Sequence, residues 1–240
     1  MEETYHKWYA QYLGSDFEML VFGLSGYPII LFPTAKGKYY ESKDFGLIAS
    51  VQEFIDSGKI KIYCPDNIDS QSWYNYSVLP GDRVKTHIAY EKTILSDVIQ
   101  FAKYETGSKI VGVAGCDFGA YHALNIAFKH PDKIDSLVCM GGFYDIKQFI
   151  FGFYDDSCYF NNPPDYMSNL TEHWYLEKIK KMEIILGTSE WDSSLDENKR
   201  MSGILSSKEI VHRLDIRAGA GHDWQAWKDM FPVYLAKILE

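Results

Sequence analysis

The chain has 240 residues, 46% of them apolar and 24% charged, with a net charge of −9; this is the balance of a folded globular chain and excludes a disordered or fibrous one. The acidic excess argues against a nucleic-acid partner, which would need clustered Lys and Arg to release counterions from phosphate. No apolar run reaches the roughly 20 residues that cross a bilayer, and Met1-Glu2-Glu3 is acidic where a signal peptide needs a basic stretch, so a cytoplasmic chain with no membrane partner is expected.

Along the chain, residues 5–12 and 17–22 read as two strands joined by Leu13-Gly14-Ser15-Asp16, a turn-forming stretch, and predict an antiparallel hairpin at a sheet edge. Pro28-Ile29-Ile30-Leu31-Phe32 is a short continuous apolar run, the signature of a parallel strand buried on both faces. Similar runs recur at 60–64, 108–114, 136–140, 182–186 and 214–216, with helical patterns between most of them. This alternation predicts an α/β fold with a mostly parallel central sheet, helices on both faces and right-handed crossovers.

The longest helix is expected from Gly81-Asp82, with Asp82 as N-cap, to about Tyr104, since Val84, Ile88, Leu95, Val98, Ile99 and Ala102 share a face. Residues 143–175 lose periodicity, and Asn161-Asn162-Pro163-Pro164 argues against a long helix or a central strand there. A loop-rich insertion over the sheet edge, a candidate lid or subunit contact, is expected. With no linker and no internal repeat, residues 1–240 read as one domain. Cys64, Cys116, Cys139 and Cys158 form no C-x-x-C pair and have no histidine at zinc spacing, so they read as reduced thiols and no metal or other cofactor is expected.

Chemistry concentrates in Val113-Ala114-Gly115-Cys116-Asp117-Phe118-Gly119-Ala120, where a strand-like run meets Gly-x-Asp-x-Gly and then a helical pattern. This is the layout of a nucleophile elbow. The two glycines are explained by sterics, because a Cβ two residues before or after the central position would collide with neighbouring backbone. The Phe118 N–H at the helix start and an N–H of the loop Pro33-Thr34-Ala35, that of Ala35, are the expected oxyanion donors.

In this fold the acid and then the base follow the nucleophile in chain order. Leu186-Gly187-Thr188-Ser189-Glu190-Trp191-Asp192 leaves a strand, which puts Asp192 at the carboxyl edge of the sheet as the preferred acid, with Glu190 and Asp196 in reserve. Ala218-Gly219-Ala220-Gly221-His222 follows the last strand, and its small residues would let His222 fold over the sheet as the base. Taken singly, Gly-x-Asp-x-Gly is an ordinary turn and His222 an ordinary surface histidine; their order and context give them weight. Aromatics reach 16% of the chain, and Trp73, Tyr74, Tyr144, Tyr154 and Trp191 are candidates for a substrate-pocket wall, with core packing the alternative for each.

Taken together, Leu20-Val21-Phe22-Gly23, Phe32-Pro33-Thr34, Ser72-Trp73-Tyr74-Asn75, the segment around Gly115-Cys116 and Phe118-Gly119-Ala120-Tyr121-His122-Ala123, Tyr159-Phe160-Asn161-Asn162-Pro163, Glu190-Trp191-Asp192 and Gly221-His222-Asp223-Trp224 resemble the α/β-hydrolase esterases related to esterase D and the feruloyl esterases. The resemblance spans nearly the whole chain. It implies the α/β-hydrolase fold, hydrolysis of a small-molecule carboxylic ester or related acyl bond, and position 117, Asp192 and His222 as the triad.

The departure is Asp117, where the family pattern has serine. A carboxylate attacking an acyl carbon would give an anhydride rather than an ester that water opens, so impaired or absent ordinary esterase turnover is expected. Three alternatives stand beside this. The chain is an Asp-nucleophile hydrolase acting at saturated carbon, similar to haloalkane dehalogenases and epoxide hydrolases; it is a non-catalytic relative that keeps the pocket for binding; or a serine has been exchanged for aspartate. Exposed sheet edges and aromatic loops leave room for a homo-oligomer.

Overall fold

In the computed structural model, which describes residues 1–240, the chain forms eight strands and eleven α-helices. The hairpin β1 (Glu3–Ala10) and β2 (Ser15–Phe22) is followed by β3 (Tyr27–Phe32), three one-turn helices α1 (Glu41–Asp44), α2 (Leu47–Ser50) and α3 (Gln52–Asp56), and β4 (Ile60–Pro65). Helix α4 (Pro80–Thr93) passes through a π-helical turn, Ile94–Val98, into α5 (Ile99–Thr106). Then come β5 (Val111–Cys116), α6 (Phe118–Lys129) and β6 (Ile134–Met140), the short helices α7 (Asp156–Tyr159), α8 (Pro163–Asn169) and α9 (His173–Ile179), β7 (Glu183–Ser189), α10 (Leu195–Ser207), β8 (Arg213–Arg217) and α11 (Trp224–Ile238). No helix is long and apolar enough to cross a membrane.

All eight strands join one sheet in the order β1-β2-β4-β3-β5-β6-β7-β8. The hairpin pairs antiparallel within itself and against β4, while β4, β3, β5, β6, β7 and β8 run parallel. The continuous apolar runs have a direct cause, since alternate side chains of one strand enter opposite cores. Ile30, Phe32, Val113, Leu137, Cys139, Ile184 and Leu186 pack on the face covered by α4 to α6 and α10. Ile29, Leu31, Ala114, Val138, Met140 and Ile185 pack on the face covered by α2, α3 and α11. With both faces buried, a polar side chain without a partner is costly, which favours apolar runs.

The path reverses at β3, since β4 lies on one side of it and β5 on the other. Loops leaving the carboxyl ends of β3 and β5 therefore diverge and open a crevice between them, the switch point at which open α/β sheets bind ligands. The loop carrying Ala35 and the turn at Asp117 both emerge there.

One detail differs from the sequence reading. The long helix begins at Pro80, with Leu79 at the N-cap and no capping side chain; Asp82 sits inside the first turn and pairs with Lys85 at 3.0 Å. Proline already fits the first helical position, where its missing N–H costs nothing, so a polar cap is not needed. Pro163 and Pro164 open the seven-residue α8, and no long helix or central strand forms in this stretch, as expected. Residues 143–175 are a string of short helical turns, and Ile146, Phe149, Ile150 and Cys158 within them pack with Trp73, Phe118 and Tyr121.

The elbow glycines make a sharp test of the backbone geometry. A Cβ on Gly115 would overlap the backbone of Gly119 and Ala120, and one on Gly119 would overlap the carbonyls of Phe32 and Pro33. Gly203, inside α10, has nothing near its missing Cβ. Gly115→Ala is expected to cost about 3 kcal/mol or more, whereas Gly203→Ala should be stabilising by about 0.5–1 kcal/mol. Urea unfolding of the two variants beside the parent chain checks both, and equal midpoints would contradict this packing.

Candidate active site

Asp117 has φ +54° and ψ −125°, a strained conformation for a residue with a Cβ. Strand β5 delivers it, its own N–H donates to the Met140 carbonyl at 2.9 Å, and α6 begins with the next residue. The turn holds the carboxylate above the sheet edge. The Phe118 N–H lies in the first turn of α6, where helix geometry offers it no intrahelical acceptor.

The loop after β3 reaches the same point. The Ala35 N–H donates to Asp117 Oδ2 at 2.9 Å, so the backbone donor expected to hold an oxyanion instead holds the carboxylate of residue 117. The other oxygen, Oδ1, lies 3.3 Å from His222 Nε2. His222 Nδ1 lies 2.8 Å from Asp192 Oδ1. Asp117, His222 and Asp192 thus form one continuous chain of contacts.

Each partner is locally fixed. Asp192 Oδ1 also accepts from the Ser194 N–H and hydroxyl, both at 2.7 Å. His222 directly precedes Asp223, which caps α11 by accepting from the Ala226 N–H at 2.9 Å, and its ring packs against Phe143 and Trp227. Gly141, at φ +60°, leaves room for this assembly: a Cβ there would lie 3.0 Å from Asp192 Oδ2, His222 Nδ1 and Trp227 Nε1 alike. Of these, Asp192 Oδ2 and Trp227 Nε1 are buried without a hydrogen-bond partner. The reserve acids do other work. Glu190 accepts from the Gly219 N–H at 2.9 Å, tying the acid loop to the histidine loop, and Asp196 is exposed in the first turn of α10.

The electrostatics follow from His222 lying between two carboxylates. Burial alone would lower its pKa, but its hydrogen bonds to Asp117 and Asp192 prevail and raise it from 6.5 to about 9. At neutral pH the ring is therefore an imidazolium, hydrogen-bonded through Nδ1 to Asp192 and paired through Nε2 with Asp117. Asp192 is held below its usual value, because the contacts with His222 and Ser194 outweigh its burial.

The aromatic candidates separate. Tyr74 borders the site, packing on Phe118 and Phe149 with the Lys36 ammonium over its ring, and burial followed by the nearby Asp117 raises its phenol. Trp73 is fully buried against His87 and Phe149. Tyr144 is buried too, with its hydroxyl donating to Asn198. Neither lines an open wall. Tyr154 is exposed and bonded to Asp165 on the inserted segment. Trp191 is 74% exposed beside the acid loop. Sequence reasoning missed Phe143, which packs on His222, and Glu41, which accepts from the Thr34 N–H at 3.0 Å and lies close enough to Asp117 for that charge to help burial raise its own pKa.

No protein-family model matches the sequence, and no curated protein matches it. Solved structures do match the fold. One is a ferulic acid esterase with a TM-score of 0.80 at 16% identity, the match covering 100% of this chain and 98% of that one. Another is an S-formylglutathione hydrolase from Staphylococcus aureus, with a TM-score of 0.72 at 14% identity and coverage of 100% and 99%. A third is an S-formylglutathione hydrolase from Agrobacterium tumefaciens, with a TM-score of 0.77 at 10% identity and coverage of 99% and 94%. Together with the strand order, these likenesses show the α/β-hydrolase fold.

The folded chain holds the His222 proton more tightly than an unfolded chain would. The resulting stabilisation is complete below about 6.5 and is lost as pH rises through about 9. Comparing thermal midpoints of the parent and His222→Gln from pH 6 to 10 should show the parent's advantage shrinking across that interval; a gap that stays constant would show that His222 is not held charged.

Proposed function

We propose that this chain carries the site of a carboxylic-ester hydrolase in a blocked form, with the carboxylate of residue 117 standing in both places that an ester reaction needs. The observation that carries the reading is the convergence of the Ala35 N–H and His222 Nε2 on the side chain of residue 117. The fold likeness to a ferulic acid esterase and to S-formylglutathione hydrolases supports an acyl substrate.

Ester hydrolysis at this point requires a nucleophilic hydroxyl, a neutral histidine to take its proton, and a free amide donor for the carbonyl oxygen. Asp117 supplies no hydroxyl. It also engages the Ala35 donor and helps keep His222 protonated. A serine would remove one of the two carboxylates facing His222, free the Ala35 N–H and provide the attacking oxygen. Asp192 would continue to orient the ring through Nδ1 and stabilise the imidazolium formed during attack.

A second reading has its own support. With Oδ2 held by an amide, Asp117 is oriented as a carboxylate nucleophile for a saturated carbon would be, and the resulting alkyl ester would keep its carbonyl oxygen on Ala35. The raised pKa of His222 weighs against it, because an imidazolium cannot draw a proton from the hydrolytic water.

Turnover of short p-nitrophenyl esters separates these readings. The native chain should show none above background, Asp117→Ser should gain about a thousand-fold or more, and adding His222→Ala should remove the gain. An inert Asp117→Ser protein would sink the ester reading, and halide or diol release from haloalkanes or epoxides by the native chain would establish the second.

A further inference from the structure

Three consecutive amides of the loop after β3 donate to three different carboxylates: Thr34 N–H to Glu41 Oε2 at 3.0 Å, Ala35 N–H to Asp117 Oδ2 at 2.9 Å, and Lys36 N–H to Asp69 Oδ2 at 3.1 Å. The Thr34 carbonyl accepts from Asn67 Nδ2 at 2.9 Å, and the same amide group donates to Asp69 Oδ2 at 3.1 Å. The peptides on both sides of Ala35 are thus tied to fixed groups, and only the middle N–H faces the reacting position. Lys36 adopts φ +58° to allow this, a left-handed conformation that an L-residue holds only when its surroundings impose it.

Asp69 is fully buried, and its second oxygen lies 2.8 Å from Nε2 of His122, which is only 4% exposed. His122 belongs to α6, four residues beyond Phe118, and so lies on the same helix face one turn along. Rings of Phe32, His87, Tyr90 and Phe118 surround the imidazole and leave it no other seat. One buried pair therefore links the two supports of the oxyanion hole, the loop that carries Ala35 and the helix that carries Phe118.

We propose that Asp69 and His122 are positioning residues: together they set the distance between the Ala35 and Phe118 amides, without either side chain touching the reacting atoms. The proposal deepens the reading of position 117 as an acyl-transfer centre and rests on it for its catalytic consequence, but its structural content can be measured in the native chain. Asp69→Asn removes the anionic acceptor of the Lys36 N–H, and Asp69→Asn/His122→Gln replaces both partners with neutral amides should the single variant leave an unpaired buried group that prevents folding.

Amide hydrogen exchange is followed in both variants with residue 117 unchanged. The Ala35 and Lys36 amides should lose protection by about ten-fold or more while those of β5 and α6 keep theirs. Protection that is unchanged at Ala35, or that falls equally throughout the sheet, would overturn the proposal. In the Asp117→Ser background the same changes should lower kcat by about a hundred-fold with KM within about two-fold; an unaltered kcat in a folded variant would overturn it as well. If Asp117→Ser does not hydrolyse esters at all, the ester reading falls, and the exchange data alone decide whether Asp69 and His122 hold the loop.

Discussion

The Asp117 carboxylate is clamped between a backbone amide on one oxygen and an imidazolium on the other, and the rest of the site is arranged around that clamp. A carboxylate at this separation favours the charged form of the imidazole. Asp192 adds to this from the opposite ring nitrogen. The resting site is an anion, a cation and a second anion in line. That arrangement is electrostatically comfortable, and it leaves no free base and keeps the Ala35 donor occupied. A serine at the same place would carry no charge, and the same scaffold would then hold a histidine facing one carboxylate instead of two, beside a vacant amide.

The fold brings together groups that are remote in sequence by letting loops from four strands meet at one edge. The strand order reverses at β3, so the Ala35 loop and the Asp117 turn leave neighbouring strands and diverge around a common crevice. The Asp192 and His222 loops leave β7 and β8 and are stitched to each other by the Trp191 N–H to the Ala220 carbonyl at 3.1 Å and by Glu190 to Gly219. Close backbone approach is the recurring device. Gly115 and Gly119 allow the elbow to turn against β3, and Gly141 leaves the space in which Asp192, His222 and Trp227 gather. Side chains at these positions would move the reacting groups before they affected the core.

Sequence made the fold class and the elbow legible because their signatures are local. Runs buried on both faces, glycines two residues either side of Asp117, and a histidine in a small-residue loop each follow from sterics within a few residues. The placement of Asp192 beside His222 was legible because Asp192 leaves the end of a strand. The pocket wall was not, since an aromatic side chain does not record which way it faces: Trp73 and Tyr144 turned into cores, while Tyr154 and Trp191 turned outward. Glu41 and Asp69 escaped notice because their partners lie 7 and 33 residues away in the Thr34 to Lys36 loop and no periodicity connects them. The one available signal was that Asp69 follows the carboxyl end of β4, on the edge where the functional loops gather.

The account turns on whether His222 is held as an imidazolium by the carboxylate at 117. The most direct measurement is an NMR titration of the His222 ring nitrogens in the native chain and in Asp117→Ser. The account predicts a pKa near 9 in the native chain, with both ring nitrogens protonated at neutral pH, and a fall toward the ordinary histidine value of about 6.5 once the carboxylate is removed. A native His222 that titrates near 6.5, or a value that the Asp117→Ser change leaves in place, would contradict it.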